Sequence, residues 1–559
     1  MTTQADVVVV GGGLGGVAAA IAAARAGASV ILTEELDRIG GQVTTQLVSA
    51  LDEHPHVETF GASASYRLLR DRIRAACGGA ANPGEGWVSR LCFPPAVGQS
   101  VMEQLLAEHG VQVRVNAAPV SADRDGDTIT AIEFSDGTRL AATVFVDASE
   151  RGDLLPLSGE DWSVGSEGFD AYAEPHAVPG GPDPLAQQSF TWCALLTYHP
   201  EHDGDDPGPA PARYEQLREH CGLDIAGWDG GVHRYRMFTD GPDGKPPFWT
   251  YRRLRADRPE LIVLNWASND CAGQDPIGDP VGAEKAGREL TAAFVHWLRT
   301  EAPREDGGTG YPGLRLAAAE AGTTDGYAAA PYLRESRRLR HDRPVTGHDL
   351  LPVPGRARAR HLDGAVGIAW YHIDLHERTG HPAPVYQETA PFTIPARALA
   401  GQVSNLLMGA KNLAATQIAA AAYRVHAGEW AVGEAAGALA AVACASGSSA
   451  RQVVDTPGLL ATAQHDLARH GVPLSWIADV DSGDELYPAA HLLAAYGALE
   501  ADLAAGLHVH PDDEPGTADA AALESAAAAV RTALGLSAPT ESGAATWRER
   551  ACAALAGLR

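Results

Sequence analysis

Four consecutive valines, Val7–Val10, run directly into the glycine cluster GGGLGG of residues 11–16 and then into an alanine-rich stretch. No other feature of the chain restricts its fold as strongly. A short β-branched run favours a buried strand over a helix. Gly11, Gly13 and Gly16 fit G-x-G-x-x-G and stand where that pattern has a mechanism, between strand and helix. The first glycine permits a tight turn, the second lets backbone approach a pyrophosphate, and the third lets the helix pack close to the sheet. Leu14 and Gly15 fall in the same turn, where the first amides of the helix face an anion. Ala18–Ala24, interrupted by Ile21, supplies the helix body, and Gly27 suits its C-terminal stop. Val30–Leu32 predicts a second strand, and Glu34 follows Gly16 by 18 residues, close to the spacing of an acid that accepts ribose hydroxyls. Glu35 stands beside it. The stretch predicts an α/β fold with a Rossmann-type dinucleotide site.

Composition narrows the function. A chain of 559 residues has material for two or three domains. Seventy-one acidic against 43 basic residues give a net charge of −28, which argues against nucleic acid or an anionic membrane as a general partner. Seven cysteines without C-x-x-C spacing read as reduced thiols of a cytoplasmic protein. The first strand begins within a few residues of Met1, leaving no room for a signal peptide, and no apolar run is long and clean enough to span a bilayer. The glycine fingerprint occurs once, which argues against a built-in NAD(P)H domain.

Later segments add to the first. LDRIGGQVTT (36–45) places Gly40 and Gly41 in a loop where backbone can again approach a phosphate or a ring. VQVRV (111–115) reads as a strand, and the region from Ile129 reads as a hairpin followed by a strand, Val144–Asp147. Asp147–Asp153 then lies at the carboxyl edge of the sheet, where α/β folds place ligands. With NPGEGWVSRLCFPP (82–95), VDASERGDL, NWASND (265–270), YLRESRRL (332–339) and NLLMGAKNLAATQIAAAAYRVHAGEWAVGEAAG (405–437), the chain resembles the FAD-dependent oxidoreductase family. Specifically, it is similar to glutathione-reductase-like flavoproteins of fumarate-reductase type, over roughly residues 5–470. The resemblance implies FAD as cofactor, its ADP half held by Gly11, Gly13, Gly16 and Glu34. It implies that Gly40, Gly41 and Gln42 follow the pyrophosphate and ribityl chain, and that backbone near Val120 meets adenine. Asp147, Ala148 and Asp153 would close that pocket, with Asn412, Thr416 and Arg424 on the flavin side. The chain departs from the family at VDASERGD, where relatives often carry Ala-Thr-Gly-Asp-Gly-Asp, so Glu150 and Arg151 alter the pocket wall. Residues 429–447 predict a small-residue helix whose positive end suits the charge of a reduced flavin.

Two segments carry reactive side chains. In WYHIDLHERTGH (370–381), strand alternation would put His372, Asp374 and His376 on one face, an acid–base unit in which the carboxylate orients a charged imidazole. A solvated polar face and a divalent-metal site are the other readings. With no outside ligand evident, no metal is expected. In YLRESRRLRHDR (332–343), a helix would make Arg334 and Arg338 neighbours and pair Glu335 with Arg338. Such a run is usually a solvated face. The resemblance instead places it near the active site, with Arg334 and Arg337 on a substrate carboxylate or the flavin, and Arg397 is a further candidate.

The expected organisation is a discontinuous FAD domain (1–155 and 391–470), an inserted β-rich cap (156–390) and a helical accessory tail (471–559). Aromatic segments at 189–198, 227–238, 246–254 and 261–270 read as cap core. The alanine-rich stretch 485–530 weakly resembles one S-layer-homology unit and would pack on the main body or on a second subunit of a homo-oligomer. The expected activity is that of a dehydrogenase or oxidase. Hydride would move between flavin N5 and a small polar metabolite, with secondary metabolism as one setting. His372 or His376 would take the proton, and oxygen or a separate acceptor the electrons. A monooxygenase with an external reductant, a non-catalytic flavin-binding protein and an NAD-dependent dehydrogenase are the alternatives.

Overall fold

A computed structural model describes residues 2–227, 231–537, 544–556 and 558. The valine run ends strand β1 (Thr2–Val10), and Val7–Val9 are fully buried. Helix α1 (Leu14–Arg25) follows the glycine turn, then β2 (Val30–Thr33) and β3 (Gln112–Arg114). The hairpin β4 (Pro119–Asp125) and β5 (Thr128–Phe134) leads into β6 (Arg139–Asp147), and β7 (Leu406–Met408) arrives from far along the chain. The strands β3, β2, β1, β6 and β7 run parallel in that order, with β4–β5 antiparallel along the start of β6. Val10 aligns with both Thr33 and Asp147, and Asp147 with Met408, so the parallel strands share one carboxyl edge. The strand-and-turn reading of the first 35 residues, the strand at 111–115 and the return to Asp147 match this sheet; β4 has no counterpart in the sequence reading, and β6 runs unbroken from Arg139 rather than starting at Val144.

Helix α2 (His426–Ser446) lies across α1. Their approach is set by missing side chains: a Cβ on Gly433 would collide with the carbonyl of Gly15, and one on Gly437 with that of Ala19. Small residues here bring two helix backbones together. The helix Pro457–Arg469 packs into the same core through Ala463 and Leu467.

A second, antiparallel sheet joins Arg253–Arg255, Leu261–Leu264, Ala194–Tyr198 and Leu314–Leu316 in that order. Trp249, Trp266, Phe294 and Tyr311 form its core, as the default reading of the aromatic segments expected. Of the segment 227–238, residues 228–230 lie outside the described residues. The helices Tyr487–Ala495, Thr517–Ala533 and Trp547–Ala554 share a separate core that includes Leu492, Leu523 and Trp547. Positions 538–543, 557 and 559 of that tail are outside the described residues. All seven cysteines are free thiols. Among the described residues no helix is long and apolar enough to cross a membrane.

Residues 332–343 are not helical; they are extended, and Arg338–Leu339 pairs with Trp162–Ser163. A helix would gather the guanidiniums, whereas the extended backbone sends Arg334 to Asp270, Arg337 to Asp153 and Arg338 to Glu167. The Glu335–Arg338 pair nonetheless forms, at 3.5 Å.

Candidate active site

The glycine turn sits at the carboxyl edge. Gly11 has a φ of 103° and touches the Ala148 backbone so closely that a Cβ would not fit. Gly12 N–H donates to Glu34 Oε2 at 2.8 Å, and Leu36 N–H donates to Oε1 at 2.9 Å. These two bonds aim the acid across the turn. Burial pushes Glu34 up to about 7, and also raises Glu35, which lies 3.5 Å from Arg151. Leu14 is buried as the first residue of α1. The loop of Gly40, Gly41 and Gln42 closes on the turn from the other side, with Gly40 N–H donating to the Gly12 carbonyl at 2.7 Å. A Cβ on Gly41 would meet Glu150 Oε1 at 2.8 Å and Gly13 Cα at 2.9 Å. The turn is therefore a cradle floored by bare backbone.

Asp147 caps the end of β6. Its Oδ1 accepts from Ser149 N–H at 3.0 Å and its Oδ2 from Leu154 N–H at 3.0 Å, while burial raises its pKa to about 7. Asp153 is bound by Arg337 at 3.1 Å. Ala117, Pro119, Ala148 and Asp153 line a cleft with Gly11, Gly13 and Glu34. Val120 follows that lining with an exposed side chain. Asn412 donates to the Asp147 carbonyl at 2.9 Å, and Thr416 caps the short helix Gln417–Tyr423 and donates to Glu174 at 2.7 Å.

Beside the cradle, Glu150 of the pocket wall meets two charges that escaped the sequence reading as site residues, Lys411 and Glu429. Lys411 bonds to Glu150 and lies 3.9 Å from Glu429. Glu429 accepts from Gly15 N–H at 3.3 Å and from the Gln42 amide. Burial pulls Lys411 down, but Glu150 and Glu429 outweigh it and raise its pKa; burial raises Glu429. A signal existed: one lysine in the largely apolar run 405–415, and an acid in the first turn of a helix made mostly of small apolar residues.

Gln42 also leads from the cradle to a second cluster. Its Nε2 donates to the carbonyl of Arg424 at 3.2 Å. The Arg424 guanidinium holds Asp374 at 2.9 Å and the Tyr332 hydroxyl at 3.1 Å. Asp374 lies 3.4 Å from His376 Nε2, and His376 Nδ1 lies 2.7 Å from Asp270, itself held by Arg334 at 2.9 Å. The result is a line Arg424–Asp374–His376–Asp270–Arg334. Burial pushes Asp270 up, but Arg334 and His376 outweigh it and hold its carboxyl well below the usual range. His376 and Arg424 do the same for Asp374.

The proposed shared face of His372, Asp374 and His376 is realised only in part. The strand is just Ile373–Leu375, and Asp374 meets His376. His372 instead stacks between Tyr371 and Tyr386, with centroids at 4.0 and 4.2 Å. Burial lowers its pKa. Arg337 does not join the line; it binds the Arg151 carbonyl, Asp153 and the Trp162 ring. Arg397 points at the Arg343 carbonyl. Among the described residues, no group of three or more His, Cys, Asp or Glu is arranged to hold a metal ion.

A parallel sheet, a glycine cradle at its carboxyl edge and a buried acid at the ribose position define a Rossmann-type dinucleotide-binding protein. The chain belongs to the FAD dependent oxidoreductase family, whose model matches residues 6–467, and it is therefore an FAD enzyme. It is similar in structure to the flavin-dependent brominase Bmp2, at 12% identity over 83% of this chain and 86% of that one, with a TM-score of 0.35. It is also similar to the anhydrotetracycline hydroxylase OxyS from Streptomyces rimosus, at 18% identity over 35% of this chain and only 38% of the hydroxylase, TM-score 0.25. A thioredoxin reductase from T. acidophilum matches at 19% identity over 26% of this chain and 35% of its own, TM-score 0.16. Likenesses this partial say nothing about the reaction. A search of curated proteins finds no match.

The residues present fit FAD. The cradle has no room for a side chain, and beyond it Gln46 is fully buried with neither end of its amide bonded, as is Gln42 Oε1. Buried amides left unpaired by the protein are what a polar ring would satisfy.

Proposed function

We propose that this enzyme moves a hydride between FAD and a carbon of a small polar metabolite, with the Arg424–Asp374–His376–Asp270–Arg334 line managing the accompanying proton. The observation that carries this reading is Gln42, whose side chain ties the cradle to Arg424. Gly11, Gly13, Leu14, Gly15, Gly16, Glu34 and Glu35 would hold the ADP half, with the backbone near Val120, Asp147, Ala148 and Asp153 closing it. Gly40, Gly41, Gln42, Asn412, Thr416 and Arg424 would flank the remainder. Bound FAD supplies the hydride acceptor or donor.

The chain's own residues do the rest. His372, kept neutral by burial, is free to accept a proton from a substrate O–H or N–H, and nearby Asp374 stabilises the charge it gains. His376, with one ring nitrogen toward each of two carboxylates, is oriented by them, and the ionised pair would stabilise a proton held on its ring. The two arginines keep both carboxylates ionised and in place. Arg337 acts as a positioning residue for the turn of Asp153. Oxygen or a separate acceptor takes the electrons. An anaerobic screen of neutral and charged polar metabolites for bleaching of the flavin tests this. Bleaching that is slowed in Asp374→Asn with flavin retained supports it. A hydroxylated product formed only with an external reductant would replace it with monooxygenation.

A further inference from the structure

Of the five arginines in residues 332–343, three are committed: Arg334 to Asp270, Arg337 to Asp153 and Arg338 to Glu167. Among the described residues the guanidiniums of Arg340 and Arg343 make no hydrogen bond or ion pair, and Arg340 lines a cavity of about 390 Å³. That volume is within the range of small-molecule sites. The walls are Trp162, Tyr172, Pro182, Pro184 and Pro344, with Thr416 on the inner side. Trp162 remains 36% exposed although Arg337 lies 5.3 Å from its ring centroid. A large aromatic left open in a concave wall offers a stacking surface.

The cavity's charge is also informative. Its one carboxylate, Glu167, is fully engaged: it accepts from Arg338 at 2.7 Å, from Gln417 N–H at 2.8 Å and from Ser163 at 3.2 Å. Arg338 pairs with that charge, which leaves the Arg340 guanidinium as a cation of the lining without an ion-pair partner among the described residues. Flat apolar walls, two aromatic rings and a single forked cation suit a planar ring that carries one carboxylate. The cavity shares Thr416 with the residues proposed to flank the cofactor, but none of Arg424, Asp374, His376, Asp270 and Arg334 lines it, so the pocket is distinct from the line around His376.

We infer that the cavity between Trp162, Tyr172 and Arg340 is a binding site for a planar aromatic carboxylate, separate from the reaction centre. Calorimetric titration of the flavin-loaded enzyme with benzoate, salicylate and 2-naphthoate tests it. The expected result is saturable binding of at least one acid, weakened about tenfold in Arg340→Gln and partly restored in Arg340→Lys. The melting temperature and visible flavin spectrum of Arg340→Gln should match those of the parent, which rules out a folding defect. Absence of saturable binding by all three acids overturns the inference. So does binding that Arg340→Gln leaves unchanged, including binding that perturbs the flavin spectrum and is lost in Asp374→Asn, since that acid would occupy the reaction centre instead.

Discussion

Gln42 reaches the main-chain carbonyl of Arg424 at 3.2 Å, although the two residues are 382 positions apart. The same amide nitrogen bonds Glu429, so one side chain links the glycine cradle, the start of α2 and the buried line that begins at Arg424. Removing it in Gln42→Ala should weaken FAD binding about tenfold, the worth of one or two buried hydrogen bonds, without unfolding the protein. Fluorescence titration of the flavin-free protein with FAD measures this. An unchanged affinity would mean that Gln42 only packs.

Glu34 sets a pH dependence. Its pKa rises from 4.5 in the unfolded chain to about 7 in the folded one because burial disfavours the carboxylate. The folded state thus binds the proton more tightly, and stability falls as pH rises from about 4.5 to 7, by roughly 3 kcal/mol for this group. Asp147, also raised to about 7, acts in the same direction. The flavin-free protein should melt at a lower temperature at pH 8 than at pH 5, with the difference reduced in Glu34→Gln. Ribose hydroxyls donating to Glu34 favour its ionised form, so FAD should restore much of the stability lost at pH 8. Equal slopes in parent and variant would remove Glu34 as the cause.

Cutting the buried line should destabilise as well as inactivate. Asp374→Ala leaves Arg424, whose side chain is 4% exposed, without its carboxylate. A loss of about 3–5 kcal/mol is expected in urea unfolding. Asp374→Asn, which keeps the shape, should lose less stability, yet slow flavin reduction by about 10²–10⁴-fold once a substrate is in hand. Equal stability of Asp374→Ala and the parent would show that Arg424 has another partner in solution.

The α1–α2 crossing gives a test by addition of a methyl group. Gly433→Ala would drive Cβ into the Gly15 carbonyl and should cost about 1–3 kcal/mol, with loss of flavin because the cradle shifts. Gly181→Ala, where nothing lies within 4 Å, should be neutral. Urea unfolding of both variants makes the comparison.

How much of this was legible follows from sequence distance. The strand, glycine turn, helix and Glu34 lie within the first 35 residues, so local pattern alone shows the cradle. Asp374 and His376 were visible because a single residue separates them. Asp270, Lys411 and Glu429 were not, because each acquires its role from a partner more than a hundred positions away. For residues 332–343 the charge spacing permits a helix without requiring one. Arg334, Arg337 and Arg338 instead pair with Asp270, Asp153 and Glu167, carboxylates distant in sequence that charge spacing within 332–343 does not reveal.

The most direct test of the account is the flavin content of the purified protein and of Gly13→Val, each released by denaturation and identified by mass. The parent should carry FAD, or take it up in stoichiometric amount. The variant, folded by circular dichroism, should do neither, because a branched side chain at Gly13 would press on Glu150 and Glu429 and fill the floor of the cradle. A parent that holds no FAD and binds none when it is added, or a variant that binds FAD as the parent does, would contradict the assignment of the cradle.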